Sequence, residues 1–153
     1  MKIKVTSSEF MLCLLAMIRL DGKKTMSLHS RGFLPALEAA YKQALREEEV
    51  SLDFVITIKL FRLWGLDFPF YDNVEAAFDG IYACQDSGLI VVSGNGFYVS
   101  LGFDKSQARS IISGSDVPDE VWGRIARAFL DNYRNLWIHP IEQSGTIVEY
   151  VSP

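Results

Sequence analysis

DNVEAAFDGIYACQDSGLIVVSGNGFYVSL, residues 72–101, carries a helix start, a helix stop and a hairpin turn in unbroken succession. Asp72 followed by Glu75 has the spacing of a capping box, in which carboxylates accept backbone N–H groups orphaned at a helix start. Val74, Ala77, Phe78, Ile81 and Cys84 then recur at three- and four-residue steps, which gathers them into one apolar stripe. Gly88 supplies the left-handed residue that commonly follows a helix C-terminus. Beyond it the period drops to two, and Asn95-Gly96 has the composition of a two-residue type I′ turn, whose central positions both need positive φ. That turn pairs Gly94 with Phe97, Ser93 with Tyr98, Val92 with Val99, Val91 with Ser100 and Ile90 with Leu101. Ile90, Val92, Val99 and Leu101 therefore share one apolar face.

The polar side of the same helix holds Glu75, Asp79, Tyr82 and Asp86, at offsets that align them in a single outward stripe. A polar face is ordinary on a surface helix. Solvation alone does not account for the lack of any Lys or Arg between Asp72 and Gly88.

Upstream, Lys2 to Thr6 alternates as a short edge strand, and Ser7 or Ser8 caps a helix running to about Leu20. That helix is apolar nearly all round, which places it in the middle of the domain or at an interface. Asp21-Gly22-Lys23-Lys24 reads as a turn. Pro35 suits the first turn of a second helix, with Leu34, Leu37, Tyr41, Ala44 and Leu45 buried, Glu38 and Lys42 paired outside, and an end near Glu48. Glu47-Glu48-Glu49 then sits where carboxylates oppose the helix dipole. Ser51 to Trp64 alternates like a strand, but its length and the Ser51 cap favour a helix; Gly65 ends it before an aromatic loop, Phe68 to Tyr71.

Downstream, Asp104 caps a short helix carrying Ala108, Ile111 and Ile112 and closed by Gly114. Asp116 with Pro118 opens a helix whose core stripe is Val121, Trp122, Ile125, Phe129, Leu130 and Tyr133. Glu120 with Arg124 and Arg127 with Asp131 are outward pairs at four-residue spacing. Leu136 to Glu142 and Thr146 to Val151 form a second hairpin, with Pro140 marking an edge strand. The expected class is α+β, mainly helical: about five helices, a hairpin after the capped central helix and another at the C-terminus.

A chain of 153 residues, 49% hydrophobic and 22% charged, fits a single domain over 1–153. Its mean hydropathy of +0.13 allows a partner interface or self-association. The net charge of −4 is unevenly spread: residues 51 to 104 carry two basic and seven acidic side chains. Cys13 and Cys84 both fall in apolar patterns, as small buried hydrophobes do, rather than in disulfide or metal spacing. Met1 to Lys4 ahead of the apolar run Phe10 to Ile18 has the outline of a signal peptide, yet no cleavage pattern follows and Arg19 and Asp21 interrupt it. The run is also far short of the ~20 residues that span a bilayer, so a cytoplasmic protein without a membrane segment is expected.

Only His29 and His139 titrate near neutrality, and neither lies in a pattern that positions a nucleophile. Nucleophile-elbow, phosphate-loop and metalloprotease motifs are missing from the sequence, as is paired-cysteine metal spacing. No catalytic residue, metal site or cofactor is predicted.

Helices followed by a capped helix that leads directly into a two-stranded hairpin resemble a winged-helix domain over about residues 51 to 101. The resemblance makes residues 73 to 87 the recognition helix, the element that in that class enters the DNA major groove. Glu75, Asp79 and Asp86 would repel a polyanion there, so DNA is not expected through this face. The sequence instead suggests a non-enzymatic acidic module whose stripe at Glu75, Asp79, Tyr82 and Asp86 engages a basic protein, as an immunity or inhibitor protein engages a toxin. The alternative is a winged-helix regulator that binds nucleic acid through Lys23, Lys24 and Arg31, or through Arg124, Arg127 and Arg134.

Overall fold

A computed structural model describes residues 2–28, 30–72, 74–93, 98–138 and 147–149. In chain order the elements are β1 (Ile3–Val5), α1 (Ser7–Leu20), β2 (Thr25–Ser27), α2 (Ser30–Arg46), β3 (Val50–Leu52), β4 (Thr57–Leu63) and β5 (Leu66–Asp72). There follow α3 (Glu75–Asp86), β6 (Ile90–Ser93), β7 (Tyr98–Leu101), α4 (Lys105–Ser113), α5 (Asp119–Asn132), β8 (Leu136–Ile138) and β9 (Ile147–Glu149). The chain is mainly helical α+β.

The centre is α1. Thr6 caps it, its Oγ1 accepting the Glu9 N–H at 3.2 Å, and Phe10, Met11, Leu14, Leu15 and Ile18 are all buried. A helix with so little polar face must be covered on several sides; α3, α4 and α5 all pack on it. The crossing with α3 is close at Gly80, where an added Cβ would lie 2.7 Å from the Ser7 carbonyl oxygen and 2.9 Å from Met11 Cγ. α2 runs antiparallel to α5, Phe33 meeting Phe129 with ring centroids 5.9 Å apart and Glu47 meeting Arg124 at the other end. One buried cluster draws on residues from Val5 to Phe129.

The hairpin after α3 has the register its sequence predicts: Ile90 opposite Leu101, Val91 opposite Ser100, Val92 opposite Val99 and Ser93 opposite Tyr98. Ile90, Val99 and Leu101 are buried while Val91 is 58% exposed. The turn itself, Gly94 to Phe97, lies outside the described residues. Gly88, at φ +76°, ends α3 in a Schellman arrangement: its N–H donates to Gln85 O at 2.9 Å, and the Leu89 N–H to Cys84 O at 3.1 Å.

Several expectations are corrected. Asp72 closes β5 opposite Thr57, so it does not cap α3; Val74 holds the cap position with no side-chain bond. The Asp–x–x–Gln pair that does form a capping box is Asp104 with Gln107, reciprocal bonds of 2.8 Å each. Residues 51–64 are not a helix. Val50–Leu52 pairs in parallel with Ile3–Val5, and Thr57–Leu63 pairs with Leu66–Asp72, turning the expected aromatic loop into a strand. The β-branched run Val55-Ile-Thr-Ile58 and the period of two outweigh the local cap, because a partner strand is at hand to satisfy the backbone. Leu45 is 55% exposed; the α2 stripe runs instead through Phe33, Ala36, Leu37, Ala40, Tyr41 and Ala44. α5 begins at Asp119 behind Pro118, without a cap from Asp116.

The winged-helix arrangement expected over residues 51 to 101 is not formed there, because strands rather than a helix precede α3 from Val50 to Asp72. The hairpin after α3 is instead extended by β2, which pairs with β7 (Thr25 opposite Ser100, Ser27 opposite Tyr98), giving a three-stranded sheet ordered β2-β7-β6. β3, β4 and β5 are inserted between the second and third helices. At the C-terminus β8 and β9 pair antiparallel, Leu136 opposite Glu149, as the tail pattern predicts; Pro140 and the Gln143-Ser-Gly145 stretch lie outside the described residues.

Candidate functional site

The period of 3.6 that buries Ala77, Gly80, Ile81 and Cys84 against the body turns Glu75, Asp79 and Asp86 to solvent, with Tyr82 49% exposed among them. All four sequence-predicted residues therefore share the outer face of α3. Among the described residues none of the three carboxylates has an ion-pair partner. Glu75 lies in the first turn, where the helix dipole favours it, whereas Asp86 closes the last turn, where the dipole opposes a carboxylate and no basic residue offsets it.

The cationic sets are organised differently. Arg124 donates from Nε to Glu47 Oε1 at 2.6 Å and from its second guanidinium nitrogen to Oε2 at 2.8 Å, a two-pronged clamp that joins α2 to α5. Gln43 Nε2 donates to the same carboxylate at 3.1 Å. Glu47 is 6% exposed, and the Arg124 hydrogen bonds hold its carboxyl below the ordinary value of 4.5 against the opposing effect of burial. Glu120, the sequence-predicted partner of Arg124, is thus displaced by a residue 77 positions away. Lys23 lies over the Tyr133 ring, 5.9 Å from its centroid, and Arg31 and Arg134 are both engaged. Arg134 also falls beyond the end of α5 at Asn132, so it does not continue the stripe of Arg124 and Arg127.

Two polar clusters join separate elements, one across α1 and α5 and one between β2 and the end of α5. Ser115 Oγ donates to Glu9 Oε1 at 3.0 Å and accepts the indole N–H of Trp122 at 3.1 Å and the Val117 N–H at 3.2 Å. Tyr133 accepts the Ser27 N–H at 2.8 Å and sits 2.9 Å from Asn135 Oδ1, to which its hydroxyl donates; burial pushes this phenol up to about 12. Cys13 is likewise pushed up to about 12, first by burial and then by Glu9, and burial raises Cys84. Both are neutral thiols, packed rather than poised as nucleophiles.

A groove of about 640 Å3 runs between α2 and α5, lined by Gln43, Glu120, Arg124, Arg127 and Asp131 among others. Its charges are mixed, and its Arg124 is already held by Glu47. Among the described residues no group of three or more His, Cys, Asp or Glu side chains could hold a metal ion, and no helix is long and apolar enough to cross a membrane. His29 and His139 lie outside the described residues.

Family models, curated proteins and solved structures yield no match to this chain. Its function is therefore argued from its own geometry. The Glu47–Arg124 clamp and the close approach at Gly80 escape a reading of the sequence because both join distant segments. The tip of the β4–β5 hairpin left a local signal in Trp64-Gly65, a glycine in the second position of a two-residue turn.

Proposed function

We propose that this protein acts by binding rather than by catalysis, presenting the outer face of α3 to a basic protein. The observation that carries this reading is the solvent-facing set Glu75, Asp79 and Asp86, without a cation partner among the described residues, around the half-exposed Tyr82. Opposite charge speeds diffusional capture and rejects acidic partners, and a flat amphipathic ring supplies contact area at the centre of a patch. A partner of matching chemistry is the cationic surface with which a nucleic-acid-degrading toxin holds its substrate; covering that surface would make this chain an immunity or inhibitor protein.

The test is affinity capture from source cells at low salt, comparing the native chain with the Glu75→Lys, Asp79→Lys, Asp86→Lys triple variant. A basic protein retained by the first and lost by the second supports the proposal and identifies the target. Equal retention of the same proteins by both would reduce α3 to a solvated face.

The pairing of β2 with β7, which extends the hairpin after α3 into a three-stranded sheet, supports a second reading, a winged-helix-like nucleic-acid-binding regulator that uses a face other than α3. It requires binding to duplex DNA that weakens steeply with salt and is indifferent to the triple α3 variant. No binding at low salt would remove it.

A further inference from the structure

The β4–β5 hairpin is unlike the other strands. Seven residue pairs, from Thr57 opposite Asp72 to Leu63 opposite Leu66, make a long two-stranded ladder, yet among the described residues no other element packs extensively on β4 or β5. A lone two-stranded ladder is marginal in water without a third strand or a covering layer. At its tip Trp64 is 89% exposed and adopts φ +52°, a left-handed conformation that is costly for a bulky side chain.

The two edges of this arm are not equivalent. Leu63 and Leu66 flank a two-residue turn, so they form a hydrogen-bonded pair, and the antiparallel alternation makes Leu60 and Pro69 a non-bonded one. The backbone nitrogen of Pro69 therefore faces the outer edge of β5, where its missing N–H interrupts any further pairing. The outer edge of β4 has no such break: Ile58, Leu60 and Arg62 point their N–H and C=O groups outward. Each arm thus has one edge open to another strand and one closed.

We infer that the open edge of β4 pairs antiparallel with β4 of a second copy of this chain, joining two arms into a four-stranded sheet. One open edge per copy closes such an assembly at two and prevents a fibre. The overlap is greatest when Leu60 lies opposite the second copy's Leu60, which pairs all seven residues of each β4. In that register Lys59 faces Phe61 and Arg62 faces Ile58, so no like charges are opposed. Leu63 falls opposite Thr57, which sets Trp64 beside the root of the other arm. The tip residue that is bare in one chain is covered in two.

Sedimentation equilibrium of the full chain from micromolar concentration upward tests this. A dimer is expected, and Trp64→Ala, a change at an exposed tip, should weaken it at least about tenfold, as loss of an anchoring tryptophan does. Leu60→Pro, which places on β4 the same block that Pro69 places on β5, should halve the mass with the helical circular dichroism unchanged. Leu60→Cys should form an interchain disulfide with oxidised glutathione, and Asp67→Cys on the closed edge should not; Cys13 and Cys84 are buried and do not compete. A monomer at every concentration would overturn the inference. So would a dimer unaffected by Trp64→Ala and by a folded Leu60→Pro, or capture of a different protein through the arm by a monomeric chain.

Discussion

Glu47 shows how far one side chain departs from its local sequence context. In the run Glu47-Glu48-Glu49 at the end of a helix it has the pattern of a solvated carboxylate, but in the fold it is buried and clamped by Arg124. Its carboxyl titrates below the ordinary 4.5, so folding stabilises the ionised form. That contribution is complete above the unfolded value and is lost as pH falls through the folded one. Urea midpoints measured from neutral pH down to about pH 3 should fall less steeply for Glu47→Gln than for the native chain; identical acid slopes would contradict the clamp. Tyr133 makes a similar long-range bond to Ser27 across 106 positions. Replacing it with Phe removes the acceptor nearest the Ser27 N–H, leaving Asn135 Oδ1 at 3.3 Å, and should cost about 1 kcal/mol in denaturant stability.

Among the elements, Gly80 of α3 and Gly123 of α5 make a contrasting pair. Each lies inside a helix, so a helix-propensity argument alone predicts that Gly→Ala stabilises both by up to about 1 kcal/mol. Gly123 has nothing within 4 Å of an added Cβ, whereas Gly80 would meet the Ser7 carbonyl oxygen at 2.7 Å. Gly123→Ala should therefore raise the thermal midpoint. Gly80→Ala should lower stability by about 1–3 kcal/mol, because α1 and α3 must move apart. Equal effects of the two changes would mean that α1 and α3 do not cross so closely at Gly80. The same contrast between local and distant cause explains which elements the sequence revealed. α1, α5 and the β6–β7 register follow from apolar periods within one segment, and the structure has all three, although Thr6 rather than Ser7 or Ser8 caps α1 and Asp116 does not cap α5. β2 is three residues long and exists because β7 is beside it. β5 contains Pro69, which by itself speaks against a strand; it is tolerated because register turns the missing N–H outward.

Across the whole molecule the surface charge and the hydrophobic pattern serve different ends. The apolar stripes of the five helices converge on one buried cluster, and three of the seven acidic residues of the middle third, Glu75, Asp79 and Asp86, face outward on α3. The triple lysine change there should shift the thermal midpoint little, since all three positions are exposed, while reducing the capture rate of a basic partner and its salt dependence; unfolding by that variant would show that the stripe is structural. The sequence by itself determined the mainly helical α+β class, the extents of the five helices that form to within a few residues (though not that 51–64 lacks one), the register of the hairpin after α3 and the alignment of Glu75, Asp79, Tyr82 and Asp86. Each of these depends on residues no more than a few turns apart. Only the tertiary structure decided that residues 57–72 form a ladder, that Arg124 belongs to Glu47 and that Gly80 cannot carry a side chain. A strand needs a partner, an ion pair needs proximity and a close crossing needs the second helix, and none of these is encoded in the segment that displays it.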